Sequence, residues 1–239
     1  MISNTRHRLP LGLGLLAIAL GLPACSRDNK TVSVAPSGIT EAEAVELAAE
    51  ASDSAIPTDS EGFRPLRLRD FEPFSAQQNT WREEQGMIAT TGTPKGYMYS
   101  RRTFQNFTWR AEFRFVPAED TSKHDQSNTG FMLCIQEPHK VWPRSLEVQG
   151  KWIEMANIKS NGGVPALTIN DDQAAREAAR KPVGEWNAIE IAVKDGTVSS
   201  ILNGKAICIA EPGELKSGRI GLQAELFPVE FRNVKIREE

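Results

Sequence analysis

Residues 184–204 read GEWNAIEIAVKDGTVSSILNG, and their reading decides the fold. Ala188–Val193 and Val198–Leu202 are short, period-2 runs, so alternate side chains fall on opposite faces of an extended chain. Asp195-Gly196 separates them and Asn203-Gly204 follows. Both dipeptides accept the positive φ values that two-residue hairpin turns require. Working outward, Gly218–Gln223 and Val229–Ile236 read as two further strands. In the latter, Val229 and Phe231 share one face, whereas Val234 and Ile236 continue in the opposite phase. One residue is slipped at Arg232-Asn233, which predicts a β-bulge there.

The same pattern extends upstream. Trp109–Phe115 alternates strictly, with Trp109, Ala111, Phe113 and Phe115 on one face and Arg110, Glu112 and Arg114 on the other. Gly130–Gln136 is apolar on both faces and reads as a central strand. Leu146–Gln149 sets Leu146 and Val148 against Glu147 and Gln149. Met87–Thr91 with Trp81 predicts a hairpin around Glu84–Gly86, and Tyr97–Ser100 and Phe71–Phe74 are short strands. Asp171–Lys181 has the composition of a polar surface helix with a cap at Asn170 or Asp171. Trp152–Leu167 fits no single element. Short strands, frequent turns and no long amphipathic helix predict an all-β antiparallel sandwich.

The chain has 239 residues and a net charge of −3, enough for one sizeable core and no basic surface for nucleic acid. Arg6, His7 and Arg8 precede an apolar run, Leu9 to Leu22, that is too short to span a bilayer comfortably. Leu22-Pro23-Ala24-Cys25 then reads as a lipobox. Residues 1–24 are therefore expected to be a lipoprotein signal peptide, with Cys25 acylated. By resemblance to Gram-negative lipoproteins, the lack of Asp after the cysteine, where Ser26 stands, implies the periplasmic face of the outer membrane or the cell surface. Residues 25–61, poor in large apolar side chains, read as the lipidated cysteine and a disordered tether, with a short helix over Glu41–Ala51. Residues 62–239 form the globular domain, expected to be monomeric. Cys134 and Cys208 both lie in apolar runs and read as buried thiols, although an export compartment also permits a disulfide.

Several of these segments, in this order, resemble the 3-keto-disaccharide hydrolase domain family over about residues 62–237. They are Trp109–Phe115, Ser127-Asn128-Thr129-Gly130-Phe131, Pro143-Arg144-Ser145-Leu146-Glu147-Val148-Gln149, Gly184–Asn187, Asn203-Gly204, Gly218–Gln223 and Phe231-Arg232-Asn233. The resemblance implies a concanavalin A-like (jelly-roll) sandwich that acts on 3-keto-glycosides, with a partner oxidase supplying the keto-sugar. Family members often carry an Asp just beyond the Glu-Val-Gln. Here Gly150-Lys151-Trp152 follows, and Glu154 is the nearest acid.

Polar residues that alternate with core residues on a curved sheet are the site candidates. Glu147 is assigned as base or as a ligand to a divalent metal, Arg144 as oxyanion stabiliser and His139 as acid/base reserve. Gln149, Glu112, Arg114, Gln223 and Glu225 are expected to line the same groove. Trp142 and Trp152 could stack on a sugar ring, and Asn128 and Asn157 could bind hydroxyls. The stretch after Glu147 lacks a second carboxylate at the spacing that a paired-acid glycosidase on this fold would use. No serine-hydrolase elbow, zinc-protease helix or phosphate loop is present. A non-catalytic carbohydrate-binding module and a structural lipoprotein are the alternatives.

Overall fold

A computed structural model describes residues 57–239. The signal peptide, Cys25, the tether up to residue 56 and the helix expected over Glu41–Ala51 lie outside the described residues. The strands are β1 (Arg64–Pro65), β2 (Phe71–Phe74), β3 (Trp81–Glu84), β4 (Met87–Thr90), β5 (Gly96–Ser100), β6 (Phe107–Phe115), β7 (Gly130–Ile135), β8 (Ser145–Gln149), β9 (Ile158–Asn161), β10 (Ile169–Asp171), β11 (Asn187–Lys194), β12 (Thr197–Leu202), β13 (Lys205–Ala210), β14 (Arg219–Ala224) and β15 (Val229–Glu238). Among the described residues one α-helix, α1 (Gln173–Ala179), interrupts them.

These strands form two antiparallel sheets. The larger has the order β10-β13-β12-β11-β6-β15-β4-β3, with β1 added on β15; the smaller runs β2-β5-β14-β7-β8-β9. The predicted sandwich is the observed one. Its core is built where the inward face of β6 meets the smaller sheet. Phe131 of β7 packs edge-on against Trp109 and Phe113 of β6, at centroid distances of 5.4 and 5.3 Å. Ile189, Ile191 and Val193 of β11 and Leu222 of β14 join the same buried cluster. Side chains of this size supply roughly 1.5–3 kcal/mol each when fully buried, so this layer dominates the fold's stabilisation.

The turn chemistry operates as the sequence predicts. Asp195 and Gly196 have φ of 51° and 91°, and Asn203 and Gly204 have 48° and 81°, so both hairpins close with positive φ at each central residue. At the bulge, Arg232 opposes Glu112 but Lys235 opposes Arg110, so three steps on β15 match two on β6. Asn233 there has φ 51° and donates from Nδ2 to Glu112 Oε1 at 2.6 Å.

Some elements differ from expectation. The helix begins one or two residues later than predicted: Asp172 is its cap, its Oδ1 accepting from the Ala175 backbone N–H at 2.8 Å. The helix is not wholly at the surface, because Arg176 is buried, donating to the Met155 carbonyl and pairing with Asp171. Trp152–Leu167 resolves into a short 3-10 turn at Trp152–Glu154 and strand β9. The final tether residues are docked on the larger sheet: Lys235 Nζ lies 2.7 Å from Asp59 Oδ2, and Arg110 Nη1 lies 2.7 Å from Glu61 Oε2. Cys134 and Cys208 are free and buried. Burial pushes their thiols up to about 12 and about 11, away from thiolate chemistry.

Candidate active site

The outer face of the smaller sheet carries polar and titratable side chains that are nevertheless buried. Odd-numbered residues of β8 point there, because Leu146 and Val148 are committed to the core. Glu147 is 5% exposed and Gln149 8%. The register aligns Glu147 between Met132 on β7 and Lys159 on β9. Glu147 is held by amides. Asn161 Nδ2 donates to its Oε2 at 2.7 Å. The Gln223 side chain hydrogen-bonds it from β14, leaving Gln223 Oε1 buried and without a partner.

Gly130 makes this meeting possible. A Cβ there would stand 2.4 Å from Gln223 Oε1 and 2.5 Å from Glu147 Oε1. Only a residue without a side chain leaves room for the carboxyl and the amide to converge over β7. Burial, the largest influence, pushes the Glu147 carboxyl above the ordinary carboxylate range, and the charge of Glu225 adds to the rise. The hydrogen bonds from Asn161 and Gln223 and the charge of Lys159 act the other way. Glu225 is itself raised by burial, against the pull of Lys95, whose Nζ is 3.5 Å away.

Several predicted residues gather here and others do not. Glu147, Gln149, Gln223 and Glu225 share this face. Gln149 is locally committed, its Oε1 accepting from the Lys151 backbone N–H at 2.8 Å. Asn157 sits beside it, its carbonyl accepting from the Gln149 N–H at 2.7 Å. Asn128 leads into β7, and its Oδ1 is buried without a partner. Glu112 and Arg114 belong to β6, in the other sheet. There Glu112 pairs with Arg232 at 2.6 Å and Arg114 with Glu230 at 2.7 Å. Both strands alternate alike, and sequence alternation does not tell which sheet a strand joins.

Arg144 is also elsewhere: it precedes β8 at the rim and pairs with Glu214, both half-exposed. Trp152 packs against the core, with Arg180 stacked on its ring at 3.6 Å and its Nε1 donating to the Lys181 carbonyl. Glu154, the acid nearest the missing family Asp, pairs with Lys159 at 2.8 Å and so reaches Glu147 only through that lysine. The donor set around Glu147 does not make a divalent-ion centre. Its Oε2 is occupied by an amide N–H, an ammonium charge lies alongside, and no group of three acids, histidines or cysteines forms among the described residues.

An aromatic cluster adjoins Glu147 on the same face. Tyr97 is buried against Met132, the cross-strand partner of Glu147, and against Trp142. His139 stacks on Tyr99 at 3.9 Å, and its Nδ1 lies 2.8 Å from Tyr97 Oη. Its Nε2 lies 2.8 Å from Glu137 Oε1, outside good hydrogen-bond alignment. Sequence reasoning missed Asn161, Lys159, Tyr97 and Tyr99. The tyrosines carried a readable signal, since Tyr97-Met98-Tyr99 alternates and puts both phenols on one face. Asn161 carried none, because β9 holds a single large apolar residue. One surface hollow of 320 Å³ is lined by Arg110, Glu112, Glu190 and Lys235 on the larger sheet. Its charges are half-buried and already paired, Arg110 with Glu190, Glu112 with Arg232 and Lys235 with Asp59.

A family model described as the 3-keto-alpha-glucoside-1,2-lyase-like domain matches residues 67–237. Among solved structures, two proteins of Parabacteroides distasonis ATCC 8503, described as candidate glycosyl hydrolases, are similar. One has 21% identity and a TM-score of 0.54, covering 74% of this chain and 99% of its own. The other has 19% identity and a TM-score of 0.55, covering 77% and 98%. The Bacillus subtilis carbohydrate-binding module CBM66 matches with 11% identity and a TM-score of 0.50, covering 71% and 96%. At these identities the structural likeness concerns the fold. No curated protein is similar in sequence.

Proposed function

This chain belongs to the 3-keto-alpha-glucoside-1,2-lyase-like domain family, and from that premise we propose that it cleaves 3-keto-glycosides by elimination at C1. A ketone at C3 acidifies the hydrogen on C2. Glu147 removes that proton, the enolate expels the C1 oxygen, and water adds to the resulting enone. The observation that carries this reading is the burial of Glu147 among amides. A carboxyl raised by desolvation is a stronger base toward a carbon acid than one in water. Asn161 fixes Oε2, and Oε1 lies over Gly130 beside the Gln223 amide. The unpartnered Gln223 Oε1 supplies an acceptor for a sugar hydroxyl in a setting where an unmade hydrogen bond is costly. The proposal includes acylation at Cys25 and a location on the periplasmic face of the outer membrane or the cell surface.

The test is product release from 3-keto-glucosides and 3-keto-trehalose by the full chain and by Glu147→Gln. Release of the keto-sugar and its enone by the wild type alone supports the reading. A folded wild type that retains glycans without cleaving them favours the binding module instead.

A further inference from the structure

The elimination leaves one role unfilled. Charge develops on O3 as the C2 proton departs, and Arg144, the sequence's candidate for stabilising it, is bound to Glu214 at the rim. We propose that His139 supplies this donor as a neutral imidazole with its proton on Nε2, and that Tyr97 sets that tautomer. The inference rests on the proposed reaction and deepens it.

The tautomer follows from hydrogen-bond bookkeeping. Tyr97 Oη, the hydroxyl of a fully buried side chain, pairs with the His139 ring. Its own hydrogen then has His139 Nδ1, 2.8 Å away, as acceptor. A ring nitrogen that accepts carries no proton, so the proton of the neutral ring is on Nε2. Nε2 faces Glu137 Oε1 at 2.8 Å, a carboxylate that can only accept when ionised. Tyr97 is fully buried, and desolvation pushes its phenol well above the ordinary value, so it keeps its hydrogen. Tyr99 stacks on the imidazole and fixes the plane of the ring.

Position favours the role. Met132 touches Tyr97 on one side and is the cross-strand partner of Glu147 on the other, so the cluster and the carboxyl are one side chain apart. Nε2 is buried without an aligned partner, the Glu137 carboxylate that covers it is 69% exposed, and Tyr97 behind the ring is fully buried. In the step itself, the C2 proton passes to Glu147 and the C2–H electron pair becomes the C2=C3 bond. The carbonyl pair moves onto O3, which accepts from Nε2–H. Re-forming C3=O shifts the double bond to C1=C2 and breaks the C1–O bond. The departing oxygen takes the proton held on Glu147. His139 thus acts as an oxyanion donor, and Tyr97 is a positioning residue.

The test joins a spectroscopic reading to kinetics on the full chain. Long-range ¹⁵N–¹H correlation of His139, assigned by its loss in His139→Gln, is expected to show the Nε2–H tautomer in the wild type and a mixture in Tyr97→Phe. An Nδ1–H wild type, or a tautomer unmoved in Tyr97→Phe, overturns the assignment. On a 3-keto-glucoside, His139→Ala is expected to lose about 10²–10³-fold in kcat, the scale of one oxyanion donor. His139→Gln, which keeps an N–H near Nε2, should recover much of that loss, and Tyr97→Phe should lower kcat with KM little changed. Wild-type rates in His139→Ala overturn the oxyanion role. A wild type with the Nε2–H tautomer that cleaves no 3-keto-glycoside overturns the proposed function and this role, while supporting the Tyr97 control of the ring.

Discussion

Glu147 carries a thermodynamic signature that a surface carboxylate lacks. Its folded pKa is raised above the unfolded value. The folded state therefore holds its proton more tightly, and stability falls as pH rises from the unfolded pKa through the folded one. Replacing the carboxyl with an amide removes that cost. Glu147→Gln keeps an oxygen for Asn161 and carries no buried charge at any pH. The variant is expected to melt at a higher temperature than the wild type at pH 8, the difference shrinking toward pH 4, while turnover drops by about 10²–10⁴-fold. Thermal melts across that pH range check the sign; a variant less stable at pH 8 would show that the carboxyl is not strained by burial. Gly130→Ala tests the meeting of Glu147 and Gln223 from the other side. The added Cβ pushes against the ends of two flexible side chains, so turnover should fall at least about tenfold while folding survives. A variant with wild-type kcat would separate Gly130 from the site.

The elements were largely legible because their signals are local. Alternation in Trp109–Phe115 and the turns at Asp195-Gly196 and Asn203-Gly204 fix strands and hairpins without reference to anything distant. The phase slip at Arg232-Asn233 even located the bulge. Strand membership was not legible. Glu112 and Glu147 sit on equally alternating strands, yet pairing order sends them to different sheets, and that order depends on long-range contacts. Segments with few apolar residues, such as β9, were hidden for the opposite reason. The bulge yields a stability prediction. Asn233→Val places a β-branched side chain at φ 51° and removes the bond to Glu112, so urea unfolding should show a loss of about 1–3 kcal/mol. Asn233→Gly should lose less; equal losses would place the cost in the hydrogen bond rather than the backbone.

At the scale of the molecule, the two outer faces divide the labour. The larger sheet shows a lattice of half-exposed ion pairs and Arg-aromatic stacks, including Arg114 and Arg232 on Trp186. Such pairs contribute little individually. The smaller sheet buries unpaired amides and a raised carboxyl, which stability alone does not require. Substituting Glu112→Gln or Arg114→Gln should therefore leave turnover unchanged. A motif and alternation in the sequence marked Glu147, Gln149, Gln223 and Glu225, and the fold brings them to one face. The Tyr97–His139 couple was not legible because that contact joins a strand to a loop about forty residues away. The central claim is proton abstraction from C2 by Glu147, and the most direct test is the isotope effect on cleavage of a 3-keto-glucoside deuterated at C2. The account predicts slower cleavage by the wild type with the deuterated substrate and loss of turnover in Glu147→Gln. Equal rates for both isotopologues at substrate-limited turnover, together with an active Glu147→Gln, would contradict it.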